Sequence, residues 1–388
     1  MLLILYVLYF LYNVSADLME EINSRLPEDG RLNFTELATK YGLETEEYDV
    51  ITEDNYILKL FHIQGDRTKP ILLCHGADNS ADTYIMRGNT SLAVTLAKEG
   101  YDLWFMNSRD KKYSQRNLYL HPKDADFWNF TFHEIGIYDL SANIDYVLNK
   151  TNQGQLTLIG FSQGNQIWFV LGSMRPEYNS KVKVAIALAP VAYLNHARLP
   201  DLLTWTLINN FLKASGNHVL FGENSILTAA SRTICPIMKA GAEFCINFNI
   251  FPICGADPPG LEPEFVPILI GHTPSNLVRK VLDHMVQVKT SKRFQLYDYG
   301  TVTNIVKYGS AQPPEYPVKK ISAKVELLVG RNDKQAVVDD IQILKQQLPN
   351  SSYHEIDVDL WNHIDFVWGK YMKEFLYPLV LDLLKKYN

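Results

Sequence analysis

Leu156-Thr157-Leu158-Ile159-Gly160-Phe161-Ser162-Gln163-Gly164-Asn165-Gln166-Ile167 reads as three events in succession. A short apolar run predicts a buried strand, a G-x-S-x-G turn follows, and Trp168 to Leu171 continue an apolar helix. This is the context of a nucleophile elbow, in which a serine on a strained strand-to-helix turn stands above the edge of a sheet. The flanking glycines let strand and helix pass closely, and the helix N-terminus points at the place where negative charge develops in acyl transfer. Ser162 is thus the candidate nucleophile. A serine at its ordinary pKa is inert, so a base and a group that orients the base must come from elsewhere.

Upstream, Glu46 to His62 alternates around Thr52-Glu53-Asp54-Asn55 and predicts a hairpin of edge strands. Pro70 to Cys74 is continuously apolar, as a strand buried on both faces of a parallel sheet must be, and ends on His75-Gly76-Ala77. In this position the loop after the strand donates a backbone N–H to the oxyanion, which makes Ala77 the candidate donor. His75 reads as a structural histidine bonded to the loop backbone. Ser91 to Glu99 predicts a helix, Tyr101 to Met106 a strand, and Asn107-Ser108-Arg109-Asp110-Lys111-Lys112 a solvated polar loop. Tyr138 to Asn149 has helical spacing of its apolar residues, and Val182 to Leu188 is another buried strand. Strands alternating with helices predict βαβ units and a mostly parallel sheet covered on both faces.

The alternation breaks between Pro200 and Pro317, where helical apolar patches surround a cysteine cluster and a proline-rich segment. An insertion of this length at the C-terminal edge of a sheet is placed to cover a site as a cap. The alternation resumes at Val325 to Gly330, followed by Asp333, and a last strand near Tyr353 to Val358 is followed by His363. The order Ser…Asp…His is that of the α/β-hydrolase fold. Asp333 and His363 stand after strand ends, where loops gather. The rivals read differently: Asp339 and Asp340 as a solvated helix face, Asp357 and Asp359 within or just past the strand, and His354 as facing a sheet side. The expected organisation is a leader over residues 1–16, a core over 17–194 and 318–388, and a helical cap or lid over 195–317.

The whole chain, 388 residues with 47% hydrophobic and 21% charged, has the composition of a globular protein with a large core. A formal charge of −6 carries no basic footprint for nucleic acid. Leu2 to Leu11 is apolar and Val14-Ser15-Ala16 supplies small residues for cleavage before Asp17, so a secretory leader is expected rather than a transmembrane helix. Sequons at Asn33, Asn89, Asn129, Asn149 and Asn350 are then candidate glycosylation sites. Four cysteines are too few to build the fold, and Cys74 reads as a buried thiol.

From Tyr41 to Trp368 the chain resembles the acid lipase family that includes gastric and lysosomal acid lipases. The resemblance rests on Tyr41-Gly42, Thr52-Glu53-Asp54, His75-Gly76, Asn107-Ser108-Arg109, Arg116-Asn117-Leu118-Tyr119 and Phe127-Trp128-Asn129-Phe130. It continues through Tyr138-Asp139-Leu140, Gly160 to Gly164, Tyr297-Asp298-Tyr299-Gly300, Asn332-Asp333 and Asn362-His363-Ile364-Asp365-Phe366. It implies an α/β-hydrolase with a Ser162, His363 and Asp333 triad and oxyanion donors from the backbones of Ala77 and Gln163. It also implies a mobile lid, a Cys235–Cys245 disulfide with Cys254 free, and no metal or cofactor. The implied reaction is hydrolysis of acylglycerols or steryl esters at a lipid–water interface by a secreted or lysosomal protein. A silent lipid-binding protein on the same fold and an esterase for small soluble esters are the alternatives. The chain departs from the family at Phe161, where histidine is usual, at Ala77, where leucine is usual, and at Asp110-Lys111.

Overall fold

The computed structural model describes residues 14–388, so residues 1–13 of the expected leader lie outside the described residues. Eight strands form one sheet: β1 (Thr45–Ile51), β2 (Ile57–Ile63), β3 (Asp66–Cys74), β4 (Tyr101–Met106), β5 (Leu156–Phe161), β6 (Val182–Leu188), β7 (Lys324–Val329) and β8 (Ser351–Glu355). Their spatial order is β1-β2-β4-β3-β5-β6-β7-β8. Pairing is antiparallel from β1 through β2 to β4 and parallel from β4 onward. This is the α/β-hydrolase architecture.

The expected hairpin is present, with Val50 opposite Leu58. Of these two strands only β1 lies at an edge, however, because the end of β2 pairs with β4, placing Leu60 opposite Met106. The central strands are buried on both faces: Ile71 to Cys74, Leu103, Phe105, Leu158, Ile159 and Val184 to Leu188 are fully enclosed. That is why their sequences run apolar without alternation.

The path of the chain decides where a ligand can sit. From β3 it turns outward through the helix Leu92–Lys98 to β4, then returns to the other side of β3 as β5. The order therefore reverses between β3 and β5, and a crevice opens beyond the carboxyl ends of two such strands. Register puts Cys74 opposite Gly160, so the loops after the two strands, His75-Gly76-Ala77 and Ser162-Gln163-Gly164, emerge side by side.

Between β6 and β7 the chain leaves the sheet and forms helices that include Leu202–Ala214, Ile226–Ile234, Met238–Cys245, Val266–His272, Arg279–Ser291 and Thr301–Tyr308. Cys235 and Cys245 are joined by a disulfide within this insertion, while Cys74 and Cys254 are free thiols. Among the described residues no helix is long and apolar enough to cross a membrane. The sequon asparagines Asn33, Asn89, Asn129, Asn149 and Asn350 are exposed.

Two readings of polar segments are corrected. Asn107 to Lys111 is a buried loop, each residue at most 1% exposed. Arg109 donates to Asp54 at 2.6 and 2.9 Å and to Asp139 at 2.6 and 2.8 Å, and its guanidinium lies 3.9 Å from the centre of the Tyr56 ring. Lys111 sits 2.8 Å from Asp110 and also donates to the carbonyls of Ala77 and Asn276. Charges can be buried where partners replace their water, and here the partners come from distant segments that composition does not reveal. Asp340 is likewise buried, accepting from the backbone N–H of His196 at 2.9 Å and lying 2.8 Å from its ring.

Candidate active site

Ser162 is held at φ 53° and ψ −115°, a region that a side-chain-bearing residue enters only when its surroundings impose it. Those surroundings are explicit. Ser162 N–H donates to the Leu188 carbonyl at 3.0 Å, and Asn165 Nδ2 donates to the same oxygen at 2.8 Å. Thus β6 fastens both sides of the turn. The helix Gln163–Met174 crosses so close to β3 that a methyl at Gly164 would stand 2.1 Å from the Cys74 carbonyl oxygen. At Gly160 it would stand 2.3 Å from Asn165 Oδ1, so neither glycine can take a side chain without moving the turn.

The strained turn lifts Ser162 Oγ to 2.9 Å from His363 Nε2. His363 Nδ1 lies 2.8 Å from Asp333 Oδ2. The other carboxylate oxygen, Asp333 Oδ1, accepts from the backbone N–H groups of Gln335 at 2.7 Å and Ala336 at 2.8 Å. With both oxygens engaged and only 2% of the residue exposed, the carboxylate has one orientation, and it fixes the imidazole with Nε2 toward the serine. His363 is 6% exposed and its ring lies 5.1 Å from that of Phe161. Ser162 itself stays partly open to solvent.

The two backbone donors expected for an oxyanion are Ala77 and Gln163. Gln163 is the first residue of the elbow helix, so its N–H has no partner within the helix. Among the described residues no acceptor takes the N–H of Ala77. Its loop is pressed against the elbow, since a methyl at Gly76 would meet the Phe161 ring at 3.1 Å. Lys111 donates to the Ala77 carbonyl and so fixes the peptide that follows this N–H.

The rival residues lie elsewhere. His354 stands 2.7 Å from Glu326, Asp359 pairs with Arg331 on the surface, and Asp357 is exposed. His75 lies 2.8 Å from the Gly76 carbonyl and accepts from Ser108 N–H at 3.1 Å, a structural role. Burial holds its ring down at about 4, so it stays neutral there.

Three carboxyls near the site escaped the sequence reading. Asp78 follows Ala77; it accepts from Asn79 Nδ2 at 2.8 Å, and burial lifts its carboxyl above the usual range while Lys111 and His363 oppose the shift. Asp257, from the insertion, and Asp365, two residues after His363, are buried against each other. The Asn-His-x-Asp spacing around His363 was the one available signal for Asp365. The pairing partner, more than a hundred positions away, left none.

Comparison with known proteins gives consistent likenesses. A model described as partial α/β-hydrolase lipase region matches residues 34–88, and one described as α/β hydrolase fold matches residues 69–215. Lipase 1 of Drosophila melanogaster is 33% identical over 93% of this chain and 81% of its own length. Human gastric triacylglycerol lipase is 32% identical over 92% of this chain and 91% of its own. The lysosomal acid lipase/cholesteryl ester hydrolase of Macaca fascicularis is 33% identical over 92% of each chain. Among solved structures, a Sulfolobus solfataricus protein superimposes with a TM-score of 0.60 over 94% of this chain and 98% of that one. At 14% identity that likeness concerns the fold alone.

Proposed function

The chain belongs to the acid lipase family of α/β-hydrolases, and from that premise we propose that Ser162, His363 and Asp333 hydrolyse carboxylic esters of neutral lipids through an acyl-enzyme. It is a carboxylic ester hydrolase. The observation that most supports these roles is the unbroken chain from Ser162 Oγ through the His363 ring to Asp333, at 2.9 and 2.8 Å.

His363 Nε2 takes the hydroxyl proton as Ser162 Oγ attacks the ester carbonyl carbon. Asp333 keeps Nδ1 protonated and stabilises the imidazolium that forms. The carbonyl oxygen becomes an oxyanion held by the N–H groups of Ala77 and Gln163, a type of contact worth about 10²–10³ in rate per donor. Collapse passes the proton from His363 to the leaving alcohol. Water, activated by the same imidazole, then releases the fatty acid and restores the serine. The relatives that act on triacylglycerol and on cholesteryl esters make both neutral-lipid classes the substrates to assay first. A secreted or lysosomal setting fits these relatives, and the exposed sequons at Asn33, Asn89, Asn129, Asn149 and Asn350 would then carry glycan.

A fluorophosphonate should label Ser162 in the native protein, and Ser162→Ala should abolish both label and turnover. Ser162→Ala and His363→Ala should each lower kcat by about 10⁴-fold or more without their losses adding, because the two act as one unit. A folded protein that binds lipid, takes no label and releases no fatty acid would instead be a silent binder.

A further inference from the structure

The segment from Cys254 to Gly260 belongs to the insertion, yet it touches both loops that carry the proposed base and its orienter. The Cys254 carbonyl accepts from His363 N–H at 3.2 Å and from Lys334 N–H at 3.3 Å. Asn332 Nδ2 donates to the Ala256 carbonyl at 2.8 Å, and Asn362 Nδ2 to that of Gly255 at 2.9 Å. Contact with the Asp333 loop is so close that a methyl at Gly255 would stand 2.0 Å from the Asn332 carbonyl oxygen. Whatever holds this segment in place therefore positions His363 and Asp333.

At its far end stands a carboxyl pair. Asp257 Oδ1 accepts from Gly260 N–H at 3.2 Å, and Asp365 Oδ2 accepts from Asn362 N–H at 2.7 Å. The remaining oxygens face each other across Gly260, where an added methyl would meet Asp257 Oδ2 at 2.4 Å and Asp365 Oδ1 at 2.9 Å. Asp365 is 1% exposed, and its Oδ1 has no N–H or O–H donor among the described residues. Two buried acceptors can face each other only with a proton between them, since two adjacent carboxylates out of water repel strongly.

We propose that Asp257 and Asp365 share one proton, and that this acid pair is a positioning clasp that seats the Cys254–Gly260 segment against the catalytic loops only while the proton is bound. The proposal rests on the triad reading for its consequence in catalysis, and on the pair's own geometry for the clasp. Burial and the neighbouring Asp257 and Asp333 lift the Asp365 carboxyl well above the usual range. A raised folded-state value means the clasp is complete below the ordinary carboxylate value, about 3.9, and is lost as pH climbs through the raised one. The other ionisable groups near the pair include His363, two positions before Asp365, and Asp78, which acts on the Cys254 thiol as Asp365 does. Asp333 and the Cys254 thiol add no positive charge, and Arg87 is committed to Glu262 and the Trp368 carbonyl. Lys370 holds Gly260 through its backbone N–H, and its ammonium lies over Tyr371. Among the described residues no cation pairs with either carboxyl.

The test uses pH–rate profiles on a water-soluble ester, with hydrogen exchange of the Cys254–Gly260 amides measured in the uncleaving Ser162→Ala protein. Asp257→Asn supplies an amide that donates to Asp365 at any pH. The wild type should lose activity on the alkaline side, and Asp257→Asn should move that limb up by about one pH unit or more while the acid limb stays in place. Amide protection should fall with rising pH in Ser162→Ala and hold in Asp257→Asn. Because exchange is read without turnover, it tests the clasp even if the triad roles fail. An alkaline limb that is absent, that ignores Asp257→Asn or that moves with Asp78→Asn instead would overturn the proposal. Protection that does not change with pH would do the same.

Discussion

Arg109 shows how a single residue can organise the ground beneath a site it never touches. Its guanidinium joins Asp54, in the β1–β2 turn, to Asp139, on the helical segment packed against the elbow helix, and it lies over the ring of Tyr56. Removing one member of a buried ionic cluster leaves the others charged and unpaired, a cost of about 3–5 kcal/mol. Arg109→Ala should therefore unfold at markedly lower urea, with a stability loss of that order. Arg109→Lys should recover only part of it, since a point charge cannot fork to two carboxylates. A loss below about 1 kcal/mol would mean that the cluster is solvated. Sequence alone could not reveal this. Asn107 to Lys111 is polar along the chain, and only the long-range partners Asp54, Asp139, Ala77 and Asn276 make it an interior loop. Ser162 was legible because it stands immediately after β5, whose unbroken apolarity marks it, and Asp333 because it follows the apolar β7 by four residues; β8 is polar, and His363, eight residues beyond it, was legible from the chain order Ser…Asp…His.

At the scale of elements, the elbow works because two backbones approach within reach of each other, and Gly164 sets that approach. A methyl 2.1 Å from the Cys74 carbonyl cannot be accommodated by rotating a side chain, because the obstacle is backbone in the centre of the sheet. Gly164→Ala should push the elbow helix away from β3 and so part the Ala77 and Gln163 N–H groups from a common target. The expected result is a loss of kcat of about 10²-fold or more in whatever protein folds, with KM less affected. Thermal melts run alongside would separate this from simple destabilisation; a variant with near-native kcat would show that the approach carries no catalytic weight. Element types were readable from periodicity along most of the core. What periodicity could not supply was sheet order. The placement of β2 inside the sheet follows from its pairing with β4, a contact between segments some forty residues apart.

At the scale of the whole molecule, the insertion is apolar on more faces than it can bury. Along the helix Leu202–Ala214, Trp205, Asn209 and Leu212 turn inward toward Arg279–Ser291, while Leu203 and Leu207 are 72% and 66% exposed. Met238 and Phe248 are 84% and 68% exposed, and the disulfide stiffens the stretch between Cys235 and Cys245 that presents Met238. An amphipathic helix normally has one apolar stripe, and a second one directed at water needs a partner. We propose that this face is a lid and docking surface for lipid, gaining about 25 cal/mol for each Å² it withdraws from water. Turnover of a given ester should then rise when it passes from dissolved monomers to droplets. Leu203→Glu combined with Leu207→Glu should cut droplet turnover at least about tenfold while leaving hydrolysis of a soluble ester within about twofold. The comparison is internal, because both assays use the same Ser162 chemistry and differ only in whether the outer face must meet oil. Equal losses on both substrates would show that these leucines support the fold, and a wild type with no rise at the interface would remove the reason for a lid.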